Sequence, residues 1–179
     1  MVRVADLAQC RRARPLLGTL VEIQARGAGA AEAVRAAFGQ IEEIQRLMSC
    51  HEPGSDIGRF NAASVGVPVE MDARTLAVLA VLAVAAELQV ASDFDCERSP
   101  ARTSPSGCPA WTHEGVELHK HRPVRLDLGG IAKGYAVDCA IAALRSFGYA
   151  LVNAGGDMRH VGAAARAAPA RTAMGVATR

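Results

Sequence analysis

Apolar and polar positions follow two different periods in the first third of the chain. From Thr19 to Ala25 every second residue is apolar, which predicts a strand with one exposed face. Residues 31–48 place their apolar side chains along one stripe at helical spacing, which predicts an amphipathic helix. Residues 49–68 contain no long periodic run, so a loop with one helical turn is expected there.

A second helix is predicted where the apolar positions become nearly continuous. Residues 73–90 are apolar on most sides, and Asp72 is placed to cap their first turn. Because such a helix offers little polar surface to water, we expect it to be buried against a sheet. Its uninterrupted apolar run, from Leu76 to Ala86, is shorter than the ~20 residues of a membrane span, so no span is expected. Residues 91–111 have no period, so a loop or a poorly ordered segment is expected there.

The last third of the chain alternates strand patterns with one helix. Alternating positions at 116–119 and 124–128 predict a hairpin. A helix is expected from about Ile131 to Gly148, which is placed to be its C′ residue, and a strand follows at 149–152.

From His160 onward the chain is mostly alanine, arginine and glycine, with few large apolar side chains to bury. This composition carries no strand pattern. We therefore expect residues 161–179 to form a poorly ordered tail.

Composition limits the class of protein. The chain has 179 residues, half of them hydrophobic, which is enough for the core of one domain. Its net charge of +2 and its few aromatic residues argue against nucleic-acid binding. Five cysteines without a C-x-x-C pair argue against a disulfide framework and a zinc ribbon. No apolar leader precedes Cys10, so we expect no export signal and a cytoplasmic location.

A glycine-rich stretch, residues 126–138, carries the clearest candidate chemistry. It predicts a strand end, a turn at Gly129 and Gly130, and the start of a helix, where backbone N–H groups and the helix dipole favour an anion. Lys133 adds a full positive charge. A tight structural connection with a solvated lysine is the alternative, and the spacing matches neither a Walker P-loop nor a dinucleotide fingerprint.

Other polar residues allow two interpretations each. Asp127 ends the strand before the glycine turn, where its carboxylate can accept hydrogen bonds from a ligand or can cap the turn. His119 and His121 share one face of a strand and could ligate a metal. A solvent-exposed hairpin face is the favoured explanation for the histidines, because no third ligand lies nearby in sequence.

The glycine-rich stretch also carries a family resemblance. Residues 127–138 (Asp-Leu-Gly-Gly-Ile-Ala-Lys-Gly-Tyr-Ala-Val-Asp), followed by 151–157 (Leu-Val-Asn-Ala-Gly-Gly-Asp), resemble the signature of the ApbE family of FAD:protein FMN transferases. Three upstream segments agree with the family in order: residues 15–19 (Pro-Leu-Leu-Gly-Thr), 49–61 (Ser-Cys-His-Glu-Pro-Gly-Ser through Arg-Phe-Asn) and 92–95 (Ser-Asp-Phe-Asp).

The resemblance covers residues 11–160 and implies both a fold and an activity. The implied fold is an α+β, T-fold-related domain in which a mixed sheet packs with helices. The implied activity is Mg²⁺-dependent transfer of FMN from FAD to a threonine hydroxyl of a target flavoprotein, with release of AMP. FAD and that flavoprotein are the expected partners, and family members are often periplasmic or membrane-anchored. No residue is assigned a catalytic role.

The family's ligand contacts carry over by position. Leu17 stands at a flavin-contacting methionine and His51 at a tyrosine near the flavin, so the stacking surface is smaller here. The backbone carbonyl of Gly130 is expected to help hold Mg²⁺. The complete set of expected FAD contacts is Leu17, His51, Asp93, Phe94, Asp95, Asp127 and Lys133.

The family's downstream half has no counterpart in the sequence. Its His-x-x-Asp-Pro segment and the Asp and Thr ligands that complete the Mg²⁺ site are absent after Asp157. The expectation is therefore a C-terminally truncated member with reduced or no transferase activity. The alternative is a non-catalytic remnant that binds a flavin or a nucleotide.

Overall fold

The computed structural model describes residues 9–87, 97–98 and 109–162. In chain order the strands and helices are β1 (Gln9–Leu16), β2 (Thr19–Arg26), α1 (Ala30–Met48), α2 (Asp56–Ala62), β3 (Val69–Glu70), α3 (Ala73–Glu87), β4 (Glu97–Arg98), β5 (Trp111–Glu114), β6 (Glu117–Lys120), β7 (Arg125–Leu126), α4 (Gly129–Ala142), β8 (Tyr149–Ala154) and β9 (Asp157–Gly162). Strands and helices are thus mixed along the chain, as expected for an α+β fold.

The largest sheet has four antiparallel strands in the order β1-β2-β8-β9. β2 lies inside it and buries Val21, Ile23 and Ala25, which confirms the predicted alternation. The sequence does not predict β1, because most of its residues are polar or exposed. Smaller sheets join β3, β6 and β5, and pair β4 with β7.

β1 and β2 are joined by a tight hairpin turn. Leu16 pairs with Thr19, which leaves Leu17 and Gly18 as a two-residue loop. Both have positive φ angles, 55° and 69°, as type I′ turns require.

The turn between β8 and β9 reaches the same end of the sheet. Gly155 has a φ of 62° there, and a Cβ at this position would lie 2.6 Å from Thr19 Oγ1. Both the backbone conformation and the contact with β2 therefore require glycine at this position.

α1 packs on this sheet and against α4. Its apolar stripe is buried, as the sequence predicts, and includes Phe38, Ile41 and Ile44. Each large apolar side chain buried in this way contributes roughly 1.5–3 kcal/mol. The sheet and the helix pair α1 and α4 form one continuous hydrophobic core.

The region after α1 holds more helix than expected. Two turns form at Asp56–Ala62 in place of a loop with one turn. Ser55 caps the helix, because its Oγ accepts the Gly58 N–H at 2.8 Å. Ile57 and Phe60 are buried. Tertiary packing therefore stabilises a helix too short to show a period in the sequence.

α3 begins at an ionic cluster that joins it to α1. Asp72 caps the helix as predicted, since its Oδ1 accepts the Arg74 N–H at 2.9 Å. The Arg74 guanidinium contacts Asp72 and, at 3.0 Å, Glu43 of α1. Hydrogen bonds from Arg74 lower the pKa of Asp72 to about 2, and those from Arg46 and Arg74 lower the pKa of Glu43 to about 2.

The predicted burial of this helix against a sheet is wrong. α3 lies beside α4 and buries Val78 and Leu82 along the groove between them, whereas Val81 and Val84 are more than half exposed. Among the helices in residues 9–87 and 109–162, none has the length and hydrophobicity needed to cross a bilayer.

The predicted hairpin lies elsewhere in the chain. β5 and β6 form it, with Trp111 opposite Lys120 and a turn at Gly115, whose φ is 58°. β7 pairs with β4 and not with β6. The left-handed glycine determines where the chain reverses, and the alternating apolar pattern does not reveal this.

The end of α4 also differs from the prediction. The helix ends at Ala142, and turns continue to Gly148, whose φ is not positive. Gly148 is therefore not the C′ residue.

The last strand extends into the predicted tail. β9 continues to Gly162, so His160 and Val161 belong to a strand. This strand has no buried alternating face, and its sequence consequently shows no strand pattern. The rest of the predicted tail lies outside the described residues.

Candidate functional site

A cleft of about 290 Å³ lies beside the first turn of α4, and we call it the α4 cleft. Its walls come from four segments: the β1–β2 turn, the C-terminal half of α1, the loop that follows α1, and residues 127–133. The volume is at the lower end of the range for small-molecule sites.

Four of the residues predicted as FAD contacts line this cleft. They are Leu17 of the β1–β2 turn, His51 of the loop after α1, and Asp127 and Lys133 of the segment 127–133. The fold therefore brings together side chains separated by more than a hundred positions in the sequence. Three other predicted contacts, Asp93, Phe94 and Asp95, lie outside the described residues.

Leu17 reaches the cleft through an uncommon backbone conformation. Its φ of 55° is left-handed, which costs roughly 1–2 kcal/mol for a residue with a Cβ. The Leu17 N–H donates to Gln45 Oε1 of α1 at 2.7 Å, so the helix holds the turn in place. An apolar side chain is thereby presented at the mouth of the cleft.

Asp127 lies at the junction of β7 and α4. Its Oδ1 accepts the Gly129 N–H at 3.0 Å, so the capping role considered from the sequence is present. A Cβ at position 129 would lie only 3.1 Å from that oxygen, which favours glycine there. The carboxylate thus has a fixed orientation beside the helix N-terminus.

A side chain from α2 fixes the strand that leads to Asp127. Asn61 Nδ2 donates to the Leu126 carbonyl at 2.9 Å, and the Leu126 N–H donates to Asn61 Oδ1 at 2.7 Å. The Asn61 carboxamide thus makes the same two hydrogen bonds to the Leu126 backbone that a neighbouring strand would make.

A buried lysine contacts the end of α2. The Lys120 ammonium donates to the Ala63 carbonyl at 2.9 Å, and burial lowers the pKa of Lys120.

Lys133 brings a positive charge to the start of α4. Its Nζ donates to the Gly129 carbonyl at 2.8 Å, so the side chain folds back over the first turn. The ammonium and the N-terminal end of the helix dipole therefore lie on the same side of the cleft. This arrangement favours the anion-site interpretation of the glycine-rich stretch over that of a solvated lysine.

His51 lies at the rim, in the loop after α1. Its side chain is exposed, and its backbone N–H donates to Ser49 Oγ at 3.2 Å. The Ser55 hydroxyl donates to the Ser49 carbonyl at 2.5 Å, which closes the loop. The imidazole is thus held at the edge of the cleft.

Gly130, the predicted metal position, faces a different hollow. It lines an apolar groove of about 510 Å³ between α3 and α4. Mg²⁺ requires a shell of oxygen ligands that usually includes carboxylates, and residues 9–87, 97–98 and 109–162 contain no cluster of three or more potential metal-ligating side chains. The part of the chain that the structure describes therefore does not by itself fit a Mg²⁺ ion.

The two histidines on β6 and just after it do not form part of such a cluster. His121 Nε2 lies 2.7 Å from Thr112 Oγ1, and His119 Nε2 lies 3.8 Å from Glu117. His121 is exposed and fits the explanation of a solvent-exposed hairpin face, whereas His119 is half-buried with its Nε2 away from solvent.

Eight of the twelve described lining residues are absent from the sequence-based set of FAD contacts, among them Gln45, Met48 and Cys50. Gln45 and Met48 belong to an amphipathic helix whose pattern indicates only which face is buried. Cys50 lies between Ser49 and His51 in the segment with family resemblance. Its position in that segment is the signal that could have identified it as a cleft residue.

Tyr135 lines the groove between α3 and α4 and interacts with Cys139, and both side chains have shifted pKa values. Burial is the largest cause of the raised pKa of Tyr135 and of Cys139. Both side chains therefore remain protonated at neutral pH, and a neutral thiol is a weak nucleophile.

Comparisons with known proteins agree with this fold. A sequence profile described as the ApbE family matches residues 17–103 and 101–177. The flavin transferase ApbE of Vibrio cholerae is 22% identical with a TM-score of 0.68, and 86% of this chain covers 59% of that one. The apo form of Pseudomonas stutzeri flavinyl transferase ApbE is 21% identical with a TM-score of 0.70, and the match covers 90% of this chain and 60% of that one. The ApbE protein of Thermotoga maritima is 24% identical with a TM-score of 0.67, and the match covers 86% of this chain and 59% of that one.

The chain thus spans about 60% of the length of these solved structures. No curated protein matches the sequence significantly. At identities below 25% the structural similarity shows a shared fold. Because the family profile matches most of the sequence, the chain belongs to the ApbE family.

Proposed function

We propose that this chain binds FAD in the α4 cleft and acts as a flavin transferase. In the proposed reaction a threonine hydroxyl of a target flavoprotein attacks the phosphorus of the FMN moiety. The P–O bond of the pyrophosphate breaks, AMP leaves with the bridging oxygen, and the hydroxyl proton passes to solvent. The main support is the convergence of Leu17, His51, Asp127 and Lys133 on one cleft.

The cleft offers different chemistry on its two sides. Leu17 and Met48 supply apolar surface for the faces of an isoalloxazine ring. On the other side, Lys133 and the N-terminus of α4 supply positive charge for the pyrophosphate, where charge must be stabilised during transfer. The Asp127 carboxylate can accept a hydrogen bond from a flavin N–H or a ribityl hydroxyl.

Mg²⁺ remains part of the proposal as the metal that the family resemblance implies. It would neutralise charge on the transferring phosphate. Because the described residues do not by themselves fit this ion, no step is assigned to a metal ligand of this chain.

A second candidate function is flavin binding without transfer. It is favoured by the described residues, which contain no cluster of three or more potential metal-ligating side chains. The two functions share the cleft and differ only in whether AMP is released.

Titration of FAD with and without Mg²⁺, followed by an assay with a threonine-bearing acceptor peptide, tests both functions. Binding with AMP release and a peptide mass increased by that of the FMN moiety supports the transferase. Binding without AMP release supports the non-catalytic alternative. Absence of FAD binding would overturn both.

Lys133→Met tests the anion side of the cleft. We expect it to weaken FAD binding by about tenfold, because a charge-assisted contact is lost, and to leave riboflavin binding nearly unchanged. Arg145→Met is the matched control, since Arg145 is exposed beyond the end of α4 and the change in net charge is the same. Equal FAD affinity in the two variants would contradict the assignment of Lys133.

A further inference from the structure

The Gln45 carboxamide has an orientation fixed by its neighbour. Its oxygen accepts the Leu17 N–H at 2.7 Å. A backbone N–H can only donate, so the Oε1 atom and not the NH₂ group must face the turn. The NH₂ group is therefore directed away from Leu17.

This NH₂ group has no hydrogen-bond partner in the part of the chain that the structure describes. Gln45 is half-buried and borders the α4 cleft, together with hollows beside it. The Nε2 atom is not fully buried, so water reaches it, and an acceptor atom of a ligand can take the place of that water. Two N–H donors at the edge of the cleft are consequently available to a ligand.

We propose that Gln45 is a specificity-determining residue of the cleft, whose Nε2 donates a hydrogen bond to an acceptor on the flavin ring while its Oε1 holds the β1–β2 turn. This inference rests on the proposed function. Along one edge the oxidised isoalloxazine system carries two carbonyl oxygens and the unprotonated ring nitrogens N1 and N5, which accept hydrogen bonds, whereas N3 between the carbonyls carries a hydrogen and donates.

The position of Gln45 in the cleft suits this role. Lys133 and the start of α4 are assigned to the phosphates, whereas Gln45 lies next to Leu17 and Met48, which are assigned to the ring. A donor held by the turn that carries Leu17 would recognise the ring edge and its apolar face together. Ligands without such an edge, such as AMP, would not use it.

Gln45→Glu separates the two functions of the side chain. A carboxylate can still accept the Leu17 N–H, but it has no N–H to donate. We expect riboflavin and FAD to bind about tenfold more weakly to this variant, with AMP binding and the midpoint of thermal unfolding nearly unchanged. Gln40→Glu is the matched control, because Gln40 is exposed on the same helix.

Gln45→Met provides the contrasting variant. It removes both the acceptor for Leu17 and the donor to the ring, so it should weaken flavin binding and also lower the unfolding midpoint.

Three results would overturn the inference. If the parent chain binds neither riboflavin nor FAD, the proposed function fails and this inference fails with it. If the parent chain, Gln40→Glu and Gln45→Glu bind riboflavin equally, Gln45 does not contact the ring and the proposed function stands. If Gln45→Glu lowers the unfolding midpoint as much as Gln45→Met, or weakens AMP binding as much as riboflavin binding, its effect is not recognition of the ring.

Discussion

Leu17 carries an energetic cost that its neighbours compensate. A leucine in the left-handed region is less stable than a glycine would be, yet glycine would place no apolar surface at the cleft. The hydrogen bond to Gln45 Oε1 stabilises the turn in this conformation. Strain at this position is consistent with a binding role.

A residue-scale prediction concerns His51, which stands where the family resemblance implies a tyrosine. His51→Tyr should tighten riboflavin binding by about three- to tenfold, because a larger ring adds stacking surface at the rim. Titration of flavin fluorescence measures this. His113→Tyr on the exposed face of β5 is the control and should leave the affinity unchanged. Weaker or equal binding by the His51 variant would contradict the placement of the flavin beside this residue.

A second residue-scale prediction compares two glycines. A Cβ at Gly58 would overlap the Glu52 carbonyl oxygen, a backbone atom that cannot move independently of its loop. Gly58→Ala should therefore lower the free energy of unfolding by about 2–3 kcal/mol. Gly39→Ala, at an open helical position, should raise it by up to about 1 kcal/mol. Urea denaturation measures both changes, and the same sign for the two would show that this account is wrong.

Motifs in the sequence carry residues that the fold brings to one cleft, while the contacts of these residues with FAD stay a prediction. Leu17, His51, Asp127 and Lys133 lie in matched segments, and all four line one cleft. Gln45 could not be predicted, because its role depends on a contact with a turn 28 positions away.

At the scale of elements, a buried carboxylate joins α2 to α3. Asp56 accepts hydrogen bonds from the Arg59 guanidinium at 2.6 Å, the Asp72 N–H at 2.8 Å and the Thr75 hydroxyl at 2.6 Å. Its side chain is only 5% exposed, so these partners are what make the buried charge tolerable.

Asp56→Ala should therefore destabilise the protein by about 3 kcal/mol, since it leaves the Thr75 hydroxyl and the Asp72 N–H without an acceptor. The midpoint and slope of urea unfolding give the value. Asp56→Asn keeps one acceptor oxygen and should cost less. A loss below about 0.5 kcal/mol for the alanine variant would exclude this role for Asp56.

The cluster at the start of α3 predicts a dependence of stability on pH. Asp72 and Glu43 both have pKa values of about 2 in the folded protein, below the usual range of carboxyl groups. Their contribution is therefore fully present above about pH 5 and is lost as the pH falls toward 2. Because both side chains are about one-third exposed, solvent screening keeps this contribution small.

Urea midpoints measured between pH 7 and pH 2.5 should fall most steeply below pH 4. Arg74→Met should flatten part of this dependence, because the Arg74 guanidinium depresses both pKa values. If the urea midpoint of that variant depends on pH as steeply as that of the parent chain, Arg74 does not cause the lowered pKa values.

Elements with a clear period were predicted and those defined by pairing were not. α1 and β2 follow their patterns closely, because each has one buried face along its whole length. The position of the β5–β6 hairpin depends on Gly115, and β9 has no buried face to predict. Alternation of apolar and polar residues arises where one face of a strand is buried, so an exposed strand does not show it.

At the scale of the whole molecule, the cleft depends on elements from both ends of the described chain. The β1–β2 turn, α1 and the loop after α1 line one part of the cleft, and residues 127–133 at the start of α4 line the rest. The family resemblance predicted this architecture correctly, whereas periodicity alone predicted only separate elements. The packing of α1 on α4 is what joins them.

The pair formed by Asn61 and Leu126 has a consequence for the order of folding. Its two hydrogen bonds join residues 65 positions apart, so a long loop must close before they form. Local helices such as α1 can appear much earlier. In refolding from urea, riboflavin binding should therefore recover more slowly than helical circular dichroism, and Asn61→Ala should slow the recovery of binding further. Simultaneous recovery of the two signals would mean that the cleft forms together with the helices.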